Sequence, residues 1–215
     1  MPQTFEVTVF KFNELDDKAK EKAREWYREG ALNYDWWDSV YEDAERIAEI
    51  LGIELKHRQE KQRYGMTIQE PCIWFSGFCS QGDGACFEGT YRYKTGAVKK
   101  IKEYAPQDEA LHAIASGLLQ VQHKNFYGIV ADVSHTGHYY HPYYTTIEFS
   151  CTRYGCDWSV SDEIEKEVSE LLRDFMKWIY RSLEREHDYL LSDKAVDESI
   201  VANEYEFTKS GAREG

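Results

Sequence analysis

The pattern that most constrains the fold is a long apolar stripe between about residues 161 and 191. Apolar residues recur there every three or four positions, which is the period of an amphipathic helix with one face turned to a core. Such a helix needs other elements to cover its apolar face. The stripe consists of Ile164, Val168, Leu171, Leu172, Phe175, Trp178, Ile179 and Leu183.

Shorter patterns upstream predict the elements that cover this helix, and they come in blocks of helices and antiparallel hairpins without strict alternation. We therefore predict an α+β fold, with a mainly antiparallel sheet packed against several helices, including a long C-terminal helix. Only four prolines occur and no Pro- or Ser-rich linker is seen, so we expect one domain over 1–207 and a frayed polar tail at 208–215. Helical periods lie near 14–32, 36–51, 96–104, 108–124, 161–191 and 194–203, and strand patterns near 5–12, 53–63, 72–76, 87–93, 127–135 and 143–152.

The charge balance excludes several classes of partner. The chain carries 39 acidic and 26 basic side chains, a net charge of -13. Non-specific attraction to nucleic acid or to an anionic membrane needs clusters of Lys and Arg, so neither is expected. From its first residues we expect no signal peptide, and from the lack of a long apolar run we expect no membrane span. These features predict a soluble, cytoplasmic protein.

The negative charge is concentrated near the C-terminus, where 162–206 hold 14 acidic and 6 basic residues. Glu163, Glu167, Glu170 and Asp174 recur at helical spacing and form an acidic stripe on the long helix. Such a stripe is typical of a solvated outer face. It would also suit a partner with a basic, nucleic-acid-binding surface, which it would occupy as a decoy.

A glycine-rich segment over 76–89 is the most unusual stretch of the sequence. Four glycines let the backbone turn sharply or approach a ligand closely. In one interpretation Ser80, Gln81, Asp83 and Glu88 bind a small ligand. In the other, the segment is a hairpin turn in which Asp83 bonds its own backbone. It matches neither the dinucleotide-binding nor the P-loop spacing.

A second segment, 134–144, combines three histidines with four tyrosines. His135, His138 and His141 could supply ligands for zinc, although Gly137 and Pro142 favour a loop and the spacing matches no helical zinc motif. The tyrosines suit a surface that contacts a partner or stacks on a base. Packing alone would also explain them. We predict that His138, His141 and Tyr143 contact a partner. We assign Tyr139 and Tyr140 to stacking on a base.

Two further features bear on function. In Trp36-Trp37 one ring is expected to enter the core and the other to be exposed, and we assign Trp36 to partner binding.

The five cysteines are odd in number and none forms a CxxC pair, which indicates reduced thiols and no disulfide framework.

Four segments together resemble a family of phage and prophage proteins described as antitoxins of toxin–antitoxin stability systems. They are FNELDDKAKEKAREWY (12–27), FSGFCSQGDGA (75–85), HYYH (138–141) and ANEYEFT (202–208). The resemblance implies a phage-encoded accessory protein that acts in the bacterial cytosol, and it implies no catalytic residues.

Three hypotheses follow from the sequence. The first is a non-enzymatic protein that neutralises a host toxin or antiviral defence factor through its acidic and aromatic surfaces, without a cofactor. The second is a binder that sequesters a nucleotide signal in the glycine-rich loop. The third is a metal-dependent hydrolase that uses the three histidines.

Overall fold

The computed structural model describes residues 8–61, 67–153 and 156–214. The chain divides into two compact units, a terminal unit of residues 1–38 and 184–215 and a central unit of residues 39–183. The α+β class is confirmed, because the described residues form antiparallel strands and six α-helices, one of them long and near the C-terminus. A single domain over 1–207 stays a prediction, since two compact units of one chain can still fold cooperatively.

A five-stranded antiparallel sheet is the frame of the central unit. Along its middle strand the alternate residues Ile129, Ala131 and Val133 are buried, so one face of that strand is turned to the core. The strands are, in spatial order, Cys156–Trp158 (β10), Thr145–Arg153 (β9), Ile129–His135 (β8), Gly89–Arg92 (β7) and Ile53–Leu55 (β2).

Two hairpins accompany this sheet. One pairs His57–Lys61 (β3) with Thr67–Pro71 (β4), and the other pairs Ile73–Phe75 (β5) with Ala85–Phe87 (β6). The sequence predicts that the strand over 87–93 pairs with the strand over 72–76 across the glycine-rich turn, and this is wrong for most of its length. Only Phe87 pairs with β5, while Gly89–Arg92 (β7) pairs with β2 and β8 in the large sheet. The predicted strand over 53–63 is interrupted at Lys56, whose backbone bonds to both Cys72 and Glu88.

Four helices lie wholly or mainly in the central unit: Asp38–Leu51 (α2), Ala97–Tyr104 (α3), Glu109–Lys124 (α4) and Asp162–Leu190 (α5), whose residues 184–190 belong to the terminal unit. The start of α4 is fixed by Asp108, whose carboxylate accepts a hydrogen bond from the Leu111 amide at 3.0 Å. Six of the eight residues of the apolar stripe of α5 are buried, while Ile164 and Leu171 are half-buried, and Phe175 meets Phe87 of β6 edge to face. No helix in the described part of the chain has the length and apolar character of a membrane span.

The terminal unit is built from two short helices and a two-stranded ribbon. The helices are Asp17–Gly30 (α1) and Asp193–Ala202 (α6), and the strands are Phe10–Lys11 (β1) and Glu206–Phe207 (β11). Of the predicted strand over 5–12, the described residues form a strand at Phe10–Lys11, and a 3₁₀ turn begins at Phe12. Residues 1–7 lie outside the described part. The buried core consists of Phe12, Leu15, Ala19, Ala23, Val196, Ile200 and Phe207.

The segment predicted to be a frayed tail makes defined contacts over its described residues, 208–214. The Thr208 amide donates to the Ala212 carbonyl at 2.8 Å and closes a turn. The Arg213 guanidinium then lies 5.0 Å from the Trp26 ring and 4.8 Å from the Tyr205 ring. The polar composition of this segment predicts a solvated tail, but cation–π contacts of this kind hold it against aromatic rings.

Candidate interaction surface

The glycine-rich loop between β5 and β6 is held by its own hydrogen bonds. The Asp83 carboxylate accepts from the backbone amides of Cys79 at 3.0 Å and Ser80 at 2.6 Å. The Ser76 hydroxyl accepts from the Gly84 amide at 3.3 Å. Asp83 therefore acts as the structural acceptor of a turn, as the hairpin interpretation of this segment predicts.

The same loop packs directly against the segment that carries the histidines and tyrosines. A Cβ atom at Gly84 would lie 2.9 Å from His141 Cα and 3.1 Å from Pro142 Cδ, and one at Gly82 would lie 3.8 Å from the Tyr139 ring. Glycine at position 84 permits this approach because it has no side chain. The two unusual stretches of the sequence thus form one feature of the central unit.

The three histidines do not converge. His135 Nε2 lies 3.0 Å from the Tyr139 carbonyl, and His141 Nδ1 accepts from the Tyr143 amide at 3.4 Å. His138 is exposed. Among the residues that the structure describes, no group of three or more His, Cys, Asp or Glu side chains could hold a metal ion. The described contacts of His135 and His141 instead shape the loop between β8 and β9.

Three tyrosines of this loop face solvent. Tyr139, Tyr143 and Tyr144 are 57%, 56% and 48% exposed, and the rings of Tyr139 and Tyr144 lie 5.3 Å apart. Tyr140 behaves differently, because it is half-buried and its ring is nearly parallel to Trp74 at 6.5 Å. The loop therefore offers a cluster of large amphipathic rings to water, with Tyr140 set back in the packing.

One of the exposed tyrosines, Tyr143, contacts the acidic stripe of α5. The Tyr143 hydroxyl donates to the Glu170 carboxylate at 3.3 Å, and the Arg173 guanidinium lies 4.9 Å from the Tyr143 ring centroid. We call this set the tyrosine–acid surface. It comprises Tyr139, Tyr143, Tyr144, Glu163, Glu167, Glu170 and Asp174.

Two basic side chains of α5 partly neutralise the negative charge of the acidic stripe. Arg173 donates to Glu170 at 3.0 Å, and Lys177 donates to Asp174 at 2.8 Å. The bond to Asp174 raises the pKa of the Lys177 ammonium. Glu167 and Glu163, which precede Glu170 by about one and two turns of α5, are exposed. The negative charge of the stripe is therefore greatest toward the N-terminal end of the helix.

The other residues predicted to bind a ligand do not lie together in the structure. Ser80 and Gln81 are exposed at the tip of the glycine-rich loop. Glu88 is half-buried, accepts from the His135 amide at 3.1 Å and lies 3.6 Å from the Lys56 ammonium. Glu88 thus links neighbouring strands and does not lie with Ser80 and Gln81 at the tip.

The assignment of Trp36 to partner binding is not supported by its position. Trp36 is only 8% exposed, and its ring lies 5.8 Å from both Trp37 and His187 within the terminal unit. Trp37 is the more exposed of the two rings. Packing between adjacent aromatics decides which ring is buried, and the dipeptide sequence carries no signal for that choice.

The described cysteines are free thiols, with Cys72 and Cys86 buried, Cys151 half-buried and Cys79 exposed. The reduced state of the cysteines stays a prediction, and the Cys156 side chain lies outside the described residues. Burial, with a smaller contribution from Glu88, raises the pKa of Cys86 to about 12. A thiol with that pKa remains protonated near neutral pH and is not a nucleophile.

Several residues of the surface were not predicted from the sequence. Arg173 and Lys177 follow Glu170 and Asp174 by three positions, so helical spacing could have predicted both ion pairs. Tyr180 donates to the Gly77 carbonyl at 2.9 Å and ties α5 to the glycine-rich loop. No local pattern indicates that last contact, because it joins residues that are distant in sequence.

Fold and surface together define an α+β protein whose long C-terminal helix supports two contacting loops. Residues 36–193 match the family model described as a domain of unknown function (DUF8835). Because the match covers most of the chain, the protein belongs to that family. No curated protein and no solved structure matches the chain.

Proposed function

We propose that the protein is a non-enzymatic interaction protein that binds a protein partner through the tyrosine–acid surface. The observation that carries the proposal is the contact between Tyr143 and Glu170, which joins an aromatic loop and an acidic helix into one surface. On this account the partner is a host toxin or antiviral defence factor, and binding neutralises it.

The aromatic half of the surface supports a macromolecular partner. Tyrosine supplies large, rigid and amphipathic contact area at low entropic cost, and it is enriched at the energetic centres of interfaces. Three such rings, each about half exposed, surround a loop that is braced against the glycine-rich turn. A braced loop loses little freedom on binding, which favours affinity.

The charge of the surface favours a basic partner. Glu163 and Glu167 are exposed, and the whole chain carries a net charge of -13. Complementary charge steers association and suppresses partners of the wrong sign. A nucleic-acid-binding protein presents such a basic surface, so occupation of that surface by the acidic helix would block its normal ligand.

The nucleotide alternative has less support from the geometry. The amides of Cys79 and Ser80, which would hold a phosphate, already donate to Asp83. Tyr140, one of two candidate stacking rings, is packed beside Trp74. The metal alternative has less still, because the three histidines do not form a ligand group.

The biological setting is proposed from the four sequence segments that resemble phage antitoxin-type proteins. A phage-encoded antagonist would act in the cytosol of the infected bacterium, where its target is located. None of the described cysteines forms a disulfide, which is compatible with that compartment.

Affinity capture from bacterial cells, followed by mass spectrometry, tests the proposal. The wild-type protein is compared with the double variant Glu163→Lys/Glu167→Lys and with the control Glu42→Lys/Glu103→Lys. Both variants change the net charge equally, but Glu42 and Glu103 are exposed on α2 and α3, outside the surface. We expect a basic protein to be captured by the wild type and the control and lost with Glu163→Lys/Glu167→Lys. Equal capture by all three proteins would contradict the proposal.

A further inference from the structure

A cavity of about 120 Å³ lies in the central unit, beside the start of α3, the middle of α4 and strand β7. Its mouth is open to solvent, because Gly96 and Leu119, which line it, are exposed. It shares no residue with the tyrosine–acid surface. Its main lining side chains are Leu51, Tyr91, Tyr93, Ala97, Ala115 and Leu118.

We propose that this cavity is a binding site for a small, neutral ligand with the dimensions of a single aromatic ring. The first argument is size and lining. An engineered apolar cavity of about 150 Å³ stays dry and binds benzene. The cavity described here is of comparable volume, and its walls are aliphatic side chains and tyrosine rings.

The space is left open by small residues. Gly96, Ala97 and Ala115 all line the cavity, and a Cβ atom added at Gly96 would meet nothing within 4 Å. Gly96 also has a φ of 80°, a left-handed conformation that favours glycine at this position. Longer side chains at the two alanines would occupy the space, so the volume depends on these particular residues.

One wall of the cavity is held in place by a strained turn. The rings of Tyr93 and Tyr127 lie 4.4 Å apart, at the turn that connects α4 to β8. Phe126 and Tyr127 have φ values of 56° and 61°, so two consecutive bulky residues adopt the left-handed conformation. Strain of this kind persists only where the surroundings impose it, and it clusters at ligand sites.

The charge at the rim selects a neutral ligand. Lys94 is the charged residue among the described residues that line the cavity. Its ammonium donates to the Glu49 carbonyl at 2.6 Å and lies 3.5 Å from the Glu49 carboxylate. An anionic ligand would have to displace these contacts, and a cationic one would meet the ammonium. Apolar contact with the rings and aliphatic walls is therefore the main attraction.

The test uses benzene as the probe and benzoate as a charged comparison. We expect benzene to raise the Tm of the wild-type protein in a concentration-dependent manner, because a ligand that binds the folded state stabilises it. Benzene should also shift the methyl NMR signals of Val98 and Leu118, which line the cavity. Benzoate at the same concentrations should give neither effect.

Two variants locate the site. Ala115→Leu fills the cavity from α4 and Ala97→Leu fills it from α3, and each should abolish the benzene-dependent rise in Tm. Ala110→Leu is the matched control, because Ala110 is exposed on α4 and does not line the cavity, and it should respond like the wild type. If Ala115→Leu does not fold, Ala97→Leu decides the outcome. No benzene response in the wild type, or an unchanged response in the filled variants, would overturn the proposal.

Discussion

Gly84 lies against His141 so closely that a Cβ atom on Gly84 would be 2.9 Å from the His141 Cα atom. The contact joins the glycine-rich loop to the loop that carries the exposed tyrosines. Through it the backbone of one loop supports the conformation of the other. The tyrosine–acid surface therefore depends on a glycine that contributes no side chain to it.

The first prediction is that Gly84→Ala destabilises the protein. The added methyl group would meet backbone and proline atoms that cannot rotate away, and overpacking of this kind costs about 1–3 kcal/mol. Gly77→Ala is the matched control, because its Cβ atom would lie 3.5 Å from the Asp83 carboxylate, an ordinary contact. Urea unfolding measures both. Equal stability of the two variants would show that the loops do not pack as described.

The second prediction concerns the turn acceptor Asp83. Asp83→Ala removes the acceptor for the amides of Cys79 and Ser80, and we expect a loss of about 1 kcal/mol in the free energy of unfolding. Asp83→Asn retains one acceptor oxygen and should lose less. Calorimetric or urea unfolding of the three proteins measures the order. If Asp83→Ala were as stable as the wild type, Asp83 would have no role in fixing the loop.

The third prediction is a loss of stability at alkaline pH that depends on Cys86. Its pKa is about 12 in the folded protein, against an ordinary value of 9.0. Below pH 9 both folded and unfolded chains keep the thiol proton, so its contribution is constant. Above pH 9 the unfolded chain releases the proton before the folded one does, so unfolding becomes more favourable up to about pH 12.

The variant Cys86→Ala isolates this effect. It should be less stable than the wild type at pH 8, because a buried side chain is truncated. The difference between the two proteins should then narrow as the pH rises from 9 toward 12, since only the wild type carries the titrating thiol. Unfolding free energies measured across this range check the prediction. A constant difference would contradict the proposed protonation of Cys86.

Much of the fold could be predicted because its signals are local. Asp108 caps α4 and Gly52, with a φ of 89°, follows the end of α2, as their residue types predict. The predicted start of α2 at residue 36 is wrong, because residues 36 and 37 form a turn and the helix begins at Asp38. The missed strand Thr67–Pro71 has little apolar character and is fixed by pairing with β3.

The candidate surface was harder to predict because it is made by contacts between distant segments. The stretches around Gly84 and His141 were each recognised as unusual, but no pattern in either indicates that they touch. The partial neutralisation of Glu170 by Arg173 has a helical spacing that the sequence does contain. No sequence pattern indicates the cavity beside α3, since Ala97 and Ala115 are ordinary helix residues.

The central claim is that the tyrosines and the acidic residues of α5 bind one partner together. Calorimetric titration of the captured partner tests this claim most directly. The partner is titrated into the wild type, the two surface variants Tyr139→Ala/Tyr144→Ala and Glu163→Lys/Glu167→Lys, and the control Glu42→Lys/Glu103→Lys. We predict that each surface variant raises Kd by about tenfold or more, an effect typical of interface anchors, while the control changes it little. The acidic variant should also reduce the salt dependence of binding. An unchanged Kd for either surface variant would contradict the claim.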